Sequence, residues 1–399
     1  MLDRFPPEIK SDILSRLPVD DLLRFRCISK SWCAQIDDGA FIKTHLKKFF
    51  NVYSSLNLIF SGCFYLASFE SLGTAVELDN PLKGPSDAHH DIKLVDSCNG
   101  LVCFGDAVGT IALLNPLTRK HHILPFLPLD FQLEGKSTWA AWAFGFGYDP
   151  ISDDYKVVRL GQYLSLSDQF FDTETNVYNL KANTWRKIQG MSYVLGFDQK
   201  MGVLAGNALH WLVGRNRIMR NPNLIVAFNL EVEDFREVPA PESIGENLSI
   251  DLGVVGKWLS LTANYECMRL DVWVMKEYGV EESWTRLFVI TPNEVAPLKC
   301  LRTLAFSKNG DELLLGVQAG NLVWYNLKEK SVKRVEKPIS VTPFAVKAFR
   351  GSLVSPCVSK EKTDAKKARP RKGRKNRKRA CPCFSGTNSY QRGLSWLCR

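Results

Sequence analysis

Apolar residues follow two different periods along this chain. Over the first 46 positions they recur every three or four residues, as they do on one face of a helix. From about position 60 to 357, short runs rich in Val, Leu, Phe, Trp and Tyr alternate with turns that contain Gly, Asn, Asp or Pro. Such runs are typical of short antiparallel strands. The pattern therefore predicts an α+β protein, in which a small helical module precedes a large all-β domain.

The helical module is predicted to contain three short helices. Ile9, Ile13 and Leu17 are four residues apart and share one face of the first helix, while Leu14 lies off that stripe. The Leu17-Pro18 step ends this helix, because the residue before a proline is pushed out of the helical region. A unit of this size rarely builds enough core to stand alone, so it needs a partner or a second domain.

The second and third helices are predicted to begin at side-chain caps. Asp20 and Ser29 carry oxygens that can accept a hydrogen bond from a free N–H of the first turn. Apolar residues of the second helix fall on more than one side, which implies two buried surfaces. One surface faces the other helices. The second faces either another protein or the following domain, and the residues alone leave both alternatives open.

A repeat of about fifty residues runs through the strand-rich part. Each copy has an apolar strand that ends in a polar residue, a turn, and a second strand; the residues at that position are Asn115, Asn179, Asn229, Lys276 and Asn326. The intervals between them are 64, 50, 47 and 50 residues, which is a propeller-blade period of the kelch kind. Asparagine can start such a turn by bonding the backbone two residues on.

The predicted architecture is a β-propeller with four strands in each blade. Hairpins near 64–69, 112–124, 177–188, 225–238, 271–290 and 323–335 indicate about six blades, with six to eight allowed by the pattern. The run AFRGSLVSP, which ends at Pro356, is expected to close the ring with an early strand. The longer first interval is explained by an insertion around LPFLPLDFQLEGKSTWAA, interpreted as a loop on the binding face. The alternative is a β-sandwich with a coincidental turn pattern.

The N-terminal segment resembles the F-box of plant F-box proteins over about residues 4–46. The residues that carry the resemblance are Phe5-Pro6, ILSRLP from Ile13, LLRFRCISKSW from Leu22, and Phe41. The resemblance implies docking on a Skp-type adaptor and, through it, on a cullin–RING ubiquitin ligase. Docking requires that the propeller leave this segment uncovered on one side. The residues expected to bind the adaptor are Pro6, Pro7, Ile9, Ile13, Leu14, Leu17, Pro18, Leu22, Leu23, Ile28 and Trp32.

The strand-rich part also has a family resemblance. The segments CNGLVCF, NPLTRKHHILP, FGFGYDPISDDYKVV and VYNLKANTWRKI are similar to the kelch-like F-box-associated region of plant F-box proteins, over about residues 95–356. The resemblance implies a receptor that holds a protein target near the ligase. The expected domains are an F-box at 1–46, a linker with the first propeller strands at 47–94, the propeller at 95–357, and a disordered basic tail at 358–399.

The basic character of the chain belongs to that tail. The whole sequence has a net charge of +10, but residues 360–399 hold 14 Lys or Arg and two acidic residues. The 38 basic and 40 acidic residues that precede position 360 leave a net charge of about −2. A basic face on the folded part is therefore not expected, so any nucleic-acid binding is expected to be weak and to involve only the tail. The tail suits nuclear import or contact with a polyanion, or it is a solvated segment with no role.

No set of residues in the sequence indicates an active site, a metal site or a cofactor site. Neighbouring histidines at positions 121 and 122 point to opposite faces of a strand, so they are poor joint ligands. His210 is expected to be an ordinary strand residue, and Asp153 with Asp154 a solvated loop. The chain is thus predicted to be a non-catalytic receptor whose target and target-binding residues the sequence does not identify. The alternative is a propeller scaffold or enzyme, or a nuclear nucleic-acid protein, with a helical cap.

The expected compartment is the nucleus and cytoplasm. The chain has no run of about eighteen apolar residues, and its N-terminus is charged and contains prolines, so neither a transmembrane helix nor a signal peptide is predicted. Its 11 cysteines are an odd number and are scattered, which favours a reduced, intracellular setting over a disulfide framework.

Overall fold

The structure of the protein is a computed structural model. It describes residues 6–49, 56–61, 64–69, 71–83, 92–106, 109–128, 138–165, 171–196, 201–215, 224–242, 244, 249–266, 268–291, 301–307, 309–317, 321–335 and 346–357. These residues belong to one compact unit, 1–359, and a second unit, 360–399, lies outside the described residues together with the predicted basic tail.

Four helices form the N-terminal module, one more than the sequence predicted. They are α1 (Pro7–Leu14), α2 (Val19–Phe25), α3 (Lys30–Ile36) and α4 (Gly39–Phe49). The fourth helix begins where Asp38 Oδ2 accepts a hydrogen bond from the Phe41 N–H at 3.0 Å, which satisfies a free donor of its first turn. Ser29 caps α3 as predicted. The prediction for Asp20 is wrong, because α2 starts at Val19 with Pro18 as its cap residue and no side-chain cap.

The strands form six sheets, which are the six blades of a propeller among the described residues. The first blade contains β1 (Leu56–Phe60), β2 (Tyr65–Ser68), β3 (Ala75–Glu77) and β25 (Val346–Arg350). The second contains β4 (Lys93–Cys98), β5 (Leu101–Gly105), β6 (Ile111–Asn115) and β7 (Lys120–Ile123). The third contains β8 (Thr138–Asp149), β9 (Asp154–Ser165), β10 (Phe171–Asn179) and β11 (Thr184–Ile188).

The remaining three blades follow in chain order. The fourth contains β12 (Val194–Leu195), β13 (Val203–Ala205), β14 (Ala208–Gly214), β15 (Leu224–Asn229) and β16 (Phe235–Val238). The fifth contains β17 (Ser249–Val255), β18 (Trp258–Tyr265), β19 (Arg269–Met275) and β20 (Trp284–Ile290), with a short 3-10 turn at Glu281–Ser283. The sixth contains β21 (Arg302–Phe306), β22 (Glu312–Val317), β23 (Asn321–Asn326) and β24 (Val332–Arg334).

The ring is closed by the last strand, as the sequence predicted. Strand β25 pairs with β1 in antiparallel register, from Leu56 opposite Arg350 to Phe60 opposite Val346. One blade is therefore built from both ends of the propeller sequence, and closure removes the open edges that a linear array of sheets would expose. Six hydrophobic clusters fill the spaces between neighbouring blades.

The repeated asparagine starts the outer hairpin turns in the way the sequence indicated. In the second, fourth and sixth blades the Oδ1 atoms of Asn115, Asn229 and Asn326 accept hydrogen bonds from the backbone N–H groups two and three residues on. The residue four positions after each repeated asparagine has a positive φ; these residues are Arg119, Asn183, Glu233 and Lys330. The second, third, fourth and sixth blades thus share this feature of the turn despite different sequences.

Tryptophans at the start of outer strands connect neighbouring blades. Trp185 Nε1 donates to the Pro125 carbonyl at 2.8 Å, and Trp284 Nε1 donates to the Pro239 carbonyl at 2.9 Å. Each bond holds the segment that follows the preceding blade. The predicted insertion begins in the first of these segments, but residues 129–137, half of its length, lie outside the described residues.

Candidate functional site

The four helices enclose a small hydrophobic core of their own. Its buried side chains come from every helix or from the residues that join them: Leu14, Val19, Leu22, Trp32, Ile36 and Phe41. One further member, Leu353, comes from the segment after β25. The apolar residues in this core are buried when the module folds, and the other apolar residues of the module are available to a partner.

The residues predicted to bind the adaptor divide into three groups. Leu14, Leu22 and Trp32 are buried in the helical core, and Leu17 and Leu23 are half-buried against it. The exposed members are Pro6, Pro7, Ile9, Ile13, Pro18 and Ile28. The structure therefore separates side chains that build the module from side chains that can touch another protein directly.

The exposed group includes three large aliphatic side chains. Ile9 and Ile13 lie one turn apart on α1 and are 47% and 43% exposed, and Ile28, after α2, is 59% exposed. Scattered exposed apolar residues are common on protein surfaces, but two on one helical face next to exposed prolines make a candidate contact surface. Helix α1 buries Leu14, the residue off the predicted stripe, and exposes Ile9 and Ile13, while Leu17, the third residue of the stripe, lies beyond the end of α1 and is half-buried.

Helix α4 joins the module to the propeller. Ile42 packs against both the helical core and the cluster between the second and third blades, and Leu46 packs against that cluster. His45 is buried, and its Nε2 atom lies 2.9 Å from the Leu17 carbonyl oxygen. Burial lowers the pKa of His45, so the neutral ring is favoured and Nε2–H donates to the carbonyl.

Asp153, in the turn between β8 and β9, forms an ion pair that binds α4 to the propeller. Its carboxylate lies 2.6 Å from Lys43 Nζ on α4 and 3.1 Å from Lys181 Nζ, and it accepts from the Tyr148 hydroxyl at 2.5 Å. Lys43 and the other donors hold the pKa of Asp153 well below its usual range.

The expectation that Asp153 and Asp154 form a solvated loop is wrong. Asp154 is buried, and its Oδ1 accepts from the backbone N–H groups of Tyr155 and Lys181. The Tyr155 donor is the next residue along the chain and the Lys181 donor lies 27 positions on, and both replace hydrogen bonds to water that the carboxylate loses on burial.

The segment Gly351–Pro356, which we call the strap, leaves β25 and crosses to the second blade. Asn115 Nδ2 donates to the carbonyl oxygens of Ser352 at 2.9 Å and Val354 at 2.7 Å. Ser352 Oγ donates to the Asn99 carbonyl at 2.6 Å. The strap thus follows the second blade to the helices, where Leu353 is buried.

Other titratable residues inside the propeller serve the packing of blades. His210 is buried, with Nδ1 3.0 Å from the Val203 carbonyl oxygen and Nε2 2.7 Å from the Tyr278 hydroxyl, so it is the strand residue that was predicted. Burial lowers the pKa of His210 to about 4 and raises the pKa of the Cys98 thiol to about 12. At neutral pH the protonated Cys98 thiol is a poor nucleophile, and an imidazole of such low pKa as His210 is a weak base.

The described residues contain no group of three or more His, Cys, Asp or Glu that could hold a metal ion. Within the same ranges no helix is both long and apolar enough to cross a membrane. The cysteines that the structure describes, at positions 27, 33, 98, 103 and 357, are free thiols.

The helical module contacts one of the two faces of the propeller. Consecutive strands of a blade are antiparallel, so the β6–β7 and β8–β9 turns lie on the same face. Leu117 in the first turn packs against the helical core, and Asp153 in the second binds Lys43. The opposite face is formed by the connections between second and third strands and between blades. Among described residues it carries Met268, which is 71% exposed, and the exposed Phe126.

Sequence reasoning missed the residues that join the helical module to the propeller, namely Leu117, Asp153 and Leu353, and it missed His45, which joins α4 to the turn between α1 and α2. Leu353 and Leu117 are within segments, GSLVSP and NPLT, that the sequence marked as strand and turn. An apolar residue at the tip of a polar turn was the available signal, because such a residue is expected to find a partner elsewhere.

Comparison with known proteins gives matches over both parts of the chain. A family model described as the F-box associated beta propeller domain matches residues 62–347, and the model of the F-box domain matches residues 2–44. F-box protein CPR1 of Arabidopsis thaliana is 33% identical over 403 residues, which span 94% of this chain and 96% of that relative. F-box protein At4g22390 of Arabidopsis thaliana is 30% identical over 348 residues, or 82% of this chain and 84% of that relative.

One solved structure of similar shape is the oligogalacturonate lyase VPA0088 from Vibrio parahaemolyticus. It has a TM-score of 0.37 and 12% sequence identity, over 69% of this chain and 71% of that chain. At that level the similarity indicates nothing about what this chain does.

Proposed function

The chain belongs to the family of plant F-box proteins that carry an F-box-associated β-propeller, and from this we propose that it is the substrate-recognition subunit of a Skp–cullin–F-box ubiquitin ligase. An F-box implies binding to a Skp-type adaptor of a cullin–RING ligase. In the proposed role the helical module docks on the adaptor, and the propeller binds a protein target that is then ubiquitinated and degraded.

The observation that carries the docking proposal is the division of apolar residues in the helical module. Its core is filled by its own side chains together with Leu353, while Ile9, Ile13 and Ile28 remain exposed. The propeller covers the side of the module that α4 forms, so the α1 surface is free for a partner. The buried Leu14, Leu22 and Trp32 support docking by holding the helices that present this surface.

The proposed chemistry takes place on other subunits of the ligase. The receptor brings a target lysine close to a ubiquitin-charged enzyme, which raises the effective concentration of the two reactants without a catalytic group on this chain. We place the target on the propeller face opposite the helices, since the helical module occupies the other. The described ends of the connections between blades, Phe126 among them, lie on that face, and loops held by a rigid scaffold are the usual carriers of binding specificity.

The test of docking replaces exposed residues and spares the core. Ile9→Asp combined with Ile13→Asp should lower the affinity for a Skp-type adaptor at least tenfold, because two buried apolar contacts become desolvated charges. Met268→Asp is the control, since Met268 is even more exposed than Ile9 and Ile13 but lies on the opposite face. Unchanged adaptor binding by a folded I9D/I13D protein would reject the role proposed for this surface.

Degradation of a target is tested separately from docking. Proteins captured by proximity labelling with the full chain, while degradation is blocked, should become unstable when the block is removed. Adaptor binding without turnover of any captured protein would instead favour a non-degradative scaffold.

We describe the blades as kelch-type on the basis of their interval of about fifty residues.

We further propose that the protein is present in the nucleus and the cytoplasm. The support is the concentration of 14 Lys or Arg in residues 360–399, a composition that import receptors and polyanions recognise. Deletion of residues 360–399 should reduce nuclear accumulation and leave adaptor binding intact. If the deleted region instead bound nucleic acid, the full chain would show an affinity that falls steeply with salt and disappears on deletion.

A further inference from the structure

The core of the helical module is completed by a residue from the other end of the folded chain. Leu353 is 7% exposed and is buried with Leu14 and Leu22, although it follows them by more than 300 positions. A core of so few side chains depends strongly on each member, because a small domain buries little surface and has little stability to lose.

Leu353 reaches the helices only through the closure of the propeller. It lies three positions after Arg350, the last residue of β25, and β25 is placed by its pairing with β1. Phe349 of β25 is buried in the cluster between the first and second blades, so the strand is held on the propeller side independently of the helices. The position of the strap is therefore a consequence of a closed ring.

Hydrogen bonds and close packing hold the strap against the second blade, so the position of Leu353 depends on the position of β25. Its carbonyl oxygens at Ser352 and Val354 both accept from Asn115 Nδ2, and Ser352 Oγ donates to Asn99 O. Gly100 has a φ of +82°, and a Cβ atom there would lie 2.2 Å from Ser352 Oγ, so the strap passes directly over its backbone. These contacts leave the strap one course between β25 and the helical core.

We propose that closure of the propeller controls adaptor docking: the helical module adopts its docking form stably only when the strap delivers Leu353 into its core. The inference rests on the docking role given above, and it adds the condition under which docking occurs. In a chain whose ring is open, Leu353 is missing from the helical core. The helices are then ordered, and the α1 surface is formed, for only part of the time. The apparent affinity falls in proportion to the fraction of molecules with an ordered module.

The first experiment measures the affinity of the full chain for a Skp-type adaptor after substitution of Leu353. Leu353→Ala should weaken binding at least tenfold, and Leu353→Met, which keeps the volume, should restore it to within threefold of the unchanged protein. Leu315→Ala is the matched control, because Leu315 is equally buried but lies between the fifth and sixth blades. The control should bind the adaptor normally.

Three outcomes of this experiment have different meanings. Failure of the unchanged protein to bind the adaptor would reject the docking role itself, and with it the premise. Normal binding by L353A would overturn the proposed control while leaving docking intact. Equal loss in L353A and L315A would also overturn it, since the effect would then be general destabilisation.

A second variant weakens closure without touching the helices. Phe349→Ala leaves a cavity between the first and second blades, and it should speed amide hydrogen exchange in α1 and α2 at least tenfold. Exchange in β18 and β19 of the fifth blade should not change. Protection of α1 and α2 that is unaffected by F349A, with faster exchange confined to β1 and β25, would show that the helices are independent of the ring.

Discussion

Nε2 of His45 lies 2.9 Å from the carbonyl oxygen of Leu17, which ties the fourth helix to the turn between the first two. Leu17 is also the last residue of the stripe Ile9, Ile13, Leu17. One imidazole therefore connects the helix that rests on the propeller with the segment proposed to meet the adaptor.

Docking should weaken in mild acid because of His45. Burial holds the pKa of His45 below its ordinary value of 6.5, so the unfolded module binds a proton more readily than the folded one. The stability contributed by the neutral ring is complete above pH 6.5 and is lost as the pH falls below that value. The affinity for the adaptor, measured between pH 7.5 and 5.5, should decrease toward the acid end.

His45→Gln provides the control for this pH effect. The glutamine amide can donate a similar hydrogen bond to Leu17 but does not titrate in this range. The variant should dock nearly normally at pH 7.5 and lose less affinity at pH 5.5. An equal acid loss in both proteins would assign the effect to another group.

Asn115 should matter more to stability than the other asparagines of the repeat. Asn115→Ala removes the turn bonds to Leu117 and Thr118 and leaves the Ser352 and Val354 carbonyls without their donor, which should cost about 2–4 kcal/mol of unfolding free energy.

The matched variant for this comparison is Asn326→Ala. Asn326 makes the same turn bonds on the surface of the sixth blade, so its loss should cost only about 1 kcal/mol. Equal losses of unfolding free energy in the two variants, measured with denaturant, would show that the bonds to the strap contribute no stability.

Asp153→Asn should loosen the attachment of α4 by a small amount. The substitution removes the charge that Lys43 and Lys181 face, but asparagine tolerates the positive φ of 54° at this position. Both ion pairs are partly exposed, so the free energy of unfolding should fall by only about 1 kcal/mol. Because the pKa of Asp153 is lowered, its contribution is present above about pH 4 and is lost below it, and the two proteins should differ less in acid. A larger loss, measured by denaturant unfolding, would mean that the turn itself had rearranged.

His210 should make the propeller acid-sensitive. Burial and, to a smaller extent, the charge of Arg236 lower the pKa of His210 to about 4, whereas an unfolded histidine titrates near 6.5. Stability is complete above pH 6.5, declines between pH 6.5 and 4, and is reduced by about 3 kcal/mol once both states are protonated. Replacement by Gln should flatten the dependence of unfolding free energy on pH in that interval, and an unchanged slope would contradict the assignment.

The features that the sequence predicted well are those set by neighbouring residues. The turns at Asn115, Asn229 and Asn326 follow from a side chain that bonds its own backbone two residues away, and the Ser29 cap follows from the same kind of local contact. The hairpins then indicated about six blades, with six to eight allowed, and the structure has six; the last strand pairs with an early one because a ring must close.

The features that could not be predicted depend on contacts between distant segments. Periodicity placed Ile9 and Ile13 on one face but carried no information on whether that face is inward, and the structure buries Leu14 instead. The anchoring roles of Asp153 and Leu353 require partners more than a hundred positions away. A leucine in a polar turn signals that it needs a partner, but a single sequence does not indicate which distant residue that partner is, and a charge in a turn is equally compatible with solvent.

The delivery of Leu353 by the last strand has a consequence for the order of synthesis. A ribosome makes the four helices first and the strap about 300 residues later. Every nascent chain therefore passes through a long period in which its N-terminal core lacks Leu353. If docking depends on Leu353 as proposed, the unfinished chain binds the adaptor weakly during that period. On that proposal, only the finished chain, with its ring closed, binds the adaptor with its full affinity.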